Sequence, residues 1–247
     1  MNPRLNIVAS IEARMGSSRL PGKVLKKFSN IEALALLVKR LKKCRYLSDI
    51  IVATTINAED DLIVSWCKQN NINYFRGSEK DVLDRVVKAH EYMNTDLIVE
   101  ITGDCPFTDP DIVDMGIESF LINNVDVVTN CGNHLTWPLG QYFQVFPLNL
   151  LKEVNLQVED PFVHEHVSLY FYENKDKYNL FEIIAPTMWR FPNLRMVLDY
   201  EEDFCFLNEL YKILSPTHGD YFNVSDIIKV IKSKPELVKI NESCKEK

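Results

Sequence analysis

Short apolar runs alternate with stretches of helical periodicity along the first half of the chain. Residues 6–11, 50–54 and 97–101 are nearly continuous apolar runs, the pattern of strands covered on both faces. Residues 74–75 and 126–129 read as shorter strands. Between them lie helical stripes. Leu34, Leu37, Val38 and Leu41 fall on one face of a helix over 33–44, and Leu62, Ile63 and Trp66 on one face of a helix over 60–69. Further helices are predicted over 81–92 and 111–122. This alternation predicts βαβ units and a mainly parallel sheet with helices on both sides. Such sheets bind ligands beyond the carboxyl ends of their strands, here residues 14–23, 76–78 and 103–106.

The rhythm changes near residue 130. A loop over 130–138 precedes a weakly alternating strand over 141–146. Helices follow over 147–154 and 161–172, each with proline near its start. Strands are predicted over 181–184 and 194–198, then helices over 201–214 and 225–232. Residues 130–190 read as an excursion from the main sheet. Residues 1–240 form one domain in this reading, and the polar segment 241–247 reads as a flexible tail.

Composition narrows the partners. Hydrophobic residues make up 46% of the 247, enough for a full core. The formal net charge of −7 argues against a nucleic acid partner, which asks for a basic face. No apolar stretch is long enough to span a bilayer or to serve as a secretory leader, so no membrane association is expected. The 6 cysteines form no C-x-x-C pair and read as free thiols of a cytoplasmic protein.

An acidic chain that handles anions must gather its cations locally. Residues 14–23 do so: Arg14, Arg19 and Lys23 lie among Gly16, Gly22, Ser17 and Ser18, directly after the first strand. Glycines let successive backbone N–H groups close on a phosphate, and Arg and Lys supply the charge. The spacing matches neither a P-loop nor a dinucleotide fingerprint. Asp104, at the end of a buried strand, suits either Mg²⁺ or a turn cap. Asp199, before a helix, suits either Mg²⁺ or an N-cap. His164 and His166 stand two apart and cannot chelate one ion from a helix. Asp109 and Asp111 read as a helix start.

Residues 12–23 resemble the opening motif of the CMP-sugar synthetase superfamily, and within it the spore-coat polysaccharide branch of cytidylyltransferases. The resemblance continues in order through residues 51–55, 76–85, 101–106, 165–167 and 198–199, nearly the whole chain. It implies a three-layer α/β/α, Rossmann-like nucleotidyltransferase with a mixed, mainly parallel sheet and a small inserted dimerisation region. The implied reaction is transfer of CMP from CTP to a small sugar-like acceptor, with in-line attack on the α-phosphorus and release of pyrophosphate. Ala13, Arg14, Gly16, Ser17 and Lys23 would hold the nucleotide phosphates, and Arg76, Ser78 and Asp84 would surround cytosine and ribose. Arg14, Lys23, Asp104 and Asp199 would form the catalytic set, the two aspartates holding Mg²⁺. Gln141, Tyr142, Gln144, Glu165 and His166 would face the acceptor. A homodimer is implied, its excursion reaching toward the partner's site.

Three departures bear on the acceptor. Glu12 stands where the branch usually has glutamine, Glu100 where it usually has a basic residue, and residues 140–146 lack the usual acidic residues. Two carboxylates at strand exits would disfavour a strongly anionic acceptor, so a neutral or amine-bearing one is expected. Rival readings are a nucleotide-sugar-dependent glycosyltransferase and a non-catalytic nucleotide-binding module.

Overall fold

The apolar runs become a sheet because their neighbours on both faces are helices with matching stripes. The structure, a computed structural model, describes residues 5–244. In chain order the strands and helices are β1 (Ile7–Glu12), β2 (Lys27–Phe28), β3 (Ile31–Glu32), α1 (Ala33–Leu41), β4 (Asp49–Thr55), α2 (Asp61–Asn70), β5 (Asn73–Gly77), α3 (Val82–Tyr92) and β6 (Leu97–Thr102). Then follow α4 (Pro110–Ile122), β7 (Val127–Thr129), β8 (Gln144–Pro147), α5 (Leu148–Gln157), α6 (Pro161–Glu165), α7 (Leu169–Glu173), β9 (Leu180–Glu182), α8 (Glu201–His218) and α9 (Val224–Ser233).

The main sheet has the order β5-β4-β1-β6-β8-β7-β9. β5, β4, β1 and β6 are parallel, β8 is antiparallel to both its neighbours, and β9 is parallel to β7. The expected three-layer, mixed and mainly parallel architecture is therefore present. On one face Ala9, Ile11, Val52, Val99 and Ile101 pack against α1, α2, α4 and α9. On the other face Val8, Ile51 and Ile98 pack against α3, α5 and the short helices α6 and α7. Strand period puts Ser10, Glu12 and Glu100 on this second face, which therefore turns polar toward the strand exits.

Several expectations for the second half need correction. Residues 194–198 are not a sheet strand. Leu194, Met196 and Leu198 are buried in a separate cluster with Phe206, Leu207 and Leu210 of α8. Their backbone bonds run to Leu139 and Asp104 instead of along a ladder. The expected helix over 161–172 is broken between His166 and Ser168 into α6 and α7, while Val163, Val167 and Phe171 keep one buried stripe. The strand expected from residue 141 begins at Gln144. Asn241 does not belong to a loose tail. It is buried and donates to the Arg195 carbonyl and to Asp203. Residues 245–247 of the expected tail lie outside the described residues. Among the described residues, no helix is long and apolar enough to cross a membrane.

Candidate active site

Two strand exits approach each other closely enough to need glycine. The Gly103 N–H donates to the Glu12 carbonyl at 3.0 Å, and a Cβ at Gly103 would meet that oxygen at 2.7 Å. A side chain there would push the loop of Asp104 away from residues 13–23. That loop curls back on itself: both Ser17 and Gly22 donate to the Met15 carbonyl. Gly22 sits at φ 68°, a conformation that glycine adopts without cost. A residue that sequence reasoning missed anchors the loop. Buried Asp60 accepts from the Met15 N–H at 2.6 Å with one oxygen and from the Thr55 N–H and hydroxyl with the other.

Lys23 emerges from this loop into a carboxylate pair. Its Nζ lies 2.8 Å from Asp104 Oδ2 and 2.7 Å from Asp199 Oδ1. Asp199 reaches this point because the Leu198 N–H donates to the Asp104 carbonyl at 2.8 Å. Its backbone N–H, with that of Tyr200, donates to Asp203 Oδ2 at the start of α8. Arg195 holds Asp203 through Nε and Nη2 at 2.9 and 3.0 Å. Arg19 pairs with Asp199 Oδ2 at 2.8 Å and lies over the Tyr200 ring. Burial works against the charges, but each offsets the other. Asp104 is held below the usual carboxylate range by Lys23, and Lys23 is held above the usual lysine range by Asp104 and Asp199.

The donor set fits a hard divalent cation. Two carboxylate oxygens already converge on one cationic nitrogen, and Mg²⁺ takes one or two carboxylates from a protein when phosphates supply further oxygens. Among the described residues, no group of three or more His, Cys, Asp or Glu could hold a metal. His164 spends both ring nitrogens, on Asp81 and on the Val158 carbonyl, and His166 is exposed beside Phe162.

Arg76, Ser78 and Asp84 line one groove of about 510 Å³, together with Asn57, Phe75, Glu79 and Lys88. Arg76 is committed to the fold here: it donates to the Thr55 and Asn57 carbonyls and pairs with Asp61. Ser78 accepts from the Asp81 N–H, and Asp84 pairs with Lys88. Arg14, exposed, pairs with Glu79 at 3.0 Å and so joins this groove to the loop of residues 13–23. Ala13 is buried and donates to the Ala53 carbonyl, and Gly16 and Ser17 are half-buried.

The residues expected to face the acceptor do not form one group. Gln141 is buried and braces the fold, accepting from the Asp109 N–H and donating to the Phe107 carbonyl at 2.8 Å each. Gln144 donates to the Cys131 thiol beside Glu100 in the sheet register. Tyr142 is half-buried, and Glu165 and His166 are exposed at the end of α6. Glu12 and Glu100 differ from expectation. Glu100 is 7% exposed, and both glutamates face the helix layer of α3 instead of standing open to the crevice. Burial pushes Glu100 up to about 7, and burial together with Glu100 raises Glu12 well above its ordinary value. Both shifts disfavour the charged form, and both carboxyls turn toward the helix layer, so the repulsion expected from two open carboxylates at the crevice does not carry over unchanged.

The chain matches the family described as Cytidylyltransferase over residues 8–215. A cytidylyltransferase from Leptospira borgpetersenii has a similar structure, with a TM-score of 0.86 and 31% identity, covering 95% of this chain and 96% of that one. The spore coat polysaccharide biosynthesis protein SpsF of Bacillus subtilis is 34% identical over 84% of this chain and 87% of its own length. An uncharacterized protein of Methanocaldococcus jannaschii is 38% identical over 98% of this chain and 97% of its own length.

Proposed function

Because the chain belongs to the cytidylyltransferase family, we propose that it transfers CMP from CTP to a hydroxyl of a small sugar-like acceptor in surface polysaccharide or glycoconjugate biosynthesis. The observation that carries this reading is the convergence of Lys23, Asp104 and Asp199 at the exits of β1 and β6, one loop away from the groove of Arg76, Ser78 and Asp84. The loop of residues 13–23 reaches the carboxylate pair through Lys23 and the groove through Arg14, which supports a nucleotide lying along it.

In the reaction an acceptor hydroxyl oxygen attacks the α-phosphorus, its proton passes to solvent, the bond to the bridging oxygen of the β-phosphate breaks, and pyrophosphate leaves. Such chemistry rests on alignment and on offsetting charge more than on covalent help. Arg14 and Lys23 supply cations at the loop where the phosphates would lie. Asp104 and Asp199 would hold Mg²⁺, which when bound neutralises phosphate charge and fixes the triphosphate in line. Asp203 and Arg195 keep Asp199 in position. The enzyme would work as a cytoplasmic homodimer.

Incubation with CTP, Mg²⁺ and a panel of sugar and sugar-acid acceptors tests the reading by pyrophosphate release. Calorimetry should show CTP binding at least tenfold tighter than GTP, since a groove shaped for one ring rejects a purine. Equal binding of the two nucleotides, or sugar transfer from a nucleotide sugar, would overturn it.

A further inference from the structure

We infer that Lys23 is a built-in counter-ion that keeps divalent metal out of the nucleotide-free enzyme, so that the metal enters only with the triphosphate that draws Lys23 away. The inference rests on the proposed cytidylyl transfer only in naming that triphosphate.

The argument is one of position and charge. Lys23 Nζ lies between Asp104 Oδ2 and Asp199 Oδ1 at 2.8 and 2.7 Å, the two oxygens that a divalent cation would use. The other Asp199 oxygen is taken by Arg19 at 2.8 Å and Arg195 at 3.4 Å. Around this point Asp104, Asp199 and Asp203 face Lys23, Arg19 and Arg195, so carboxylates and cations balance. The side chains of Lys23 and Asp199 are only 14% and 15% exposed. A metal ion entering this neutral, half-desolvated group would leave it with two uncompensated positive charges. Triphosphate changes the balance: it brings negative charge for the metal and a new partner for the ammonium. Lys23 shares its loop with the exposed Arg14, and its flexible side chain can exchange carboxylates for phosphate by a rotamer change.

The test reads metal, not turnover. Mn²⁺ binding is measured by the loss of its free-ion electron paramagnetic resonance signal, in the intact protein without nucleotide. The wild type should bind weakly, and Lys23→Met should bind at least tenfold more tightly at one site. Lys23→Met combined with Asp104→Asn should lose that gain, which assigns it to this carboxylate pair. The same Lys23→Met variant should bind CTP more weakly, at least tenfold by calorimetry in the absence of metal. A residue that merely braces the loop would weaken both ligands together. Lys23→Gln repeats the comparison should Lys23→Met melt early. Tight Mn²⁺ binding by the nucleotide-free wild type, or no gain in either folded Lys23 variant, overturns the inference. Because no nucleotide is present in the first arm, its result is independent of whether CTP is the substrate.

Discussion

Two acidic groups stand at neighbouring strand exits and reach opposite electrical states. In the first, Asp104, Asp199 and Asp203 are met by Lys23, Arg19 and Arg195 at 2.7–3.4 Å. In the second, Glu12 and Glu100 lie on adjacent strands with Arg85 as the cation that acts on Glu12. Among the described residues, Glu12 Oε1, Glu100 Oε2 and Ser10 Oγ have no hydrogen-bond partner. Burial penalises charge in both groups. In the first the Lys23 ammonium overcomes it and holds Asp104 below the usual carboxylate range, whereas in the second burial shifts both carboxyls upward. Counting acids along the chain therefore says little about the local field. Carboxylates form a cation site where partners converge, and carboxyls shifted upward by burial where they do not.

The largest effect that sharpens this contrast lies in the first group. Asp104→Asn and Asp199→Asn should each lower kcat by about 10²-fold or more, the scale of losing a key electrostatic group, while leaving the protein folded. Glu12→Gln should cost far less, because it replaces a carboxyl that is already inclined to be neutral. Pyrophosphate release under saturating CTP measures all three, and near-normal turnover in both aspartate variants would erase the distinction. A smaller effect, on stability, belongs to Asp203, whose side chain is fully buried. Asp203→Ala strands the Arg195 guanidinium and the Asp199 and Tyr200 N–H groups. Removing one partner of a buried pair costs about 3–5 kcal/mol. For a chain of this size that is roughly 10 °C in Tm. A change below about 2 °C in a thermal melt would mean that solvent already stabilises Arg195.

The first group was half legible in the sequence. Residues 14–23 stand out because cations, glycines and serines crowd together after an apolar run, and the parallel core of β1, β4 and β6 is legible from the same runs. Asp60, Arg195 and Asp203 are not legible. Each sits in an ordinary polar setting, and only long-range packing joins Asp203 to Arg195 and both to Asn241. The segment 194–198 misled for a related reason. Its apolar residues are buried by α8 and not by a sheet, and periodicity cannot tell what does the burying. For Glu100, strand position was legible, but which face of the sheet it takes, and how deep, was not. Register with Ser10 and Gln144 decides that.

The smallest effect tests the second group by pH. Glu100 is buried, and its folded-state value is pushed up to about 7 by burial. In the unfolded chain a glutamate titrates near about 4.3. The folded state thus holds this proton more tightly, so the contribution is fully present below pH about 4.3 and is lost as pH rises through about 7. Above that pH the folded chain must either carry a desolvated charge beside Glu12 or give up stability. Glu100→Gln keeps the shape but cannot ionise. Its stability advantage over the wild type should grow between pH 5 and pH 8.5 by an amount on the order of 2 kcal/mol, or about 5 °C in Tm. The difference between the two stability curves reports the Glu100 carboxyl together with its effect on Glu12. Glu12 gains as well, since the charge that Glu100 would place beside it is gone. Curves that stay parallel from pH 5 to 8.5 would show that Glu100 is ionised at no extra cost, and the two acidic groups would then be alike.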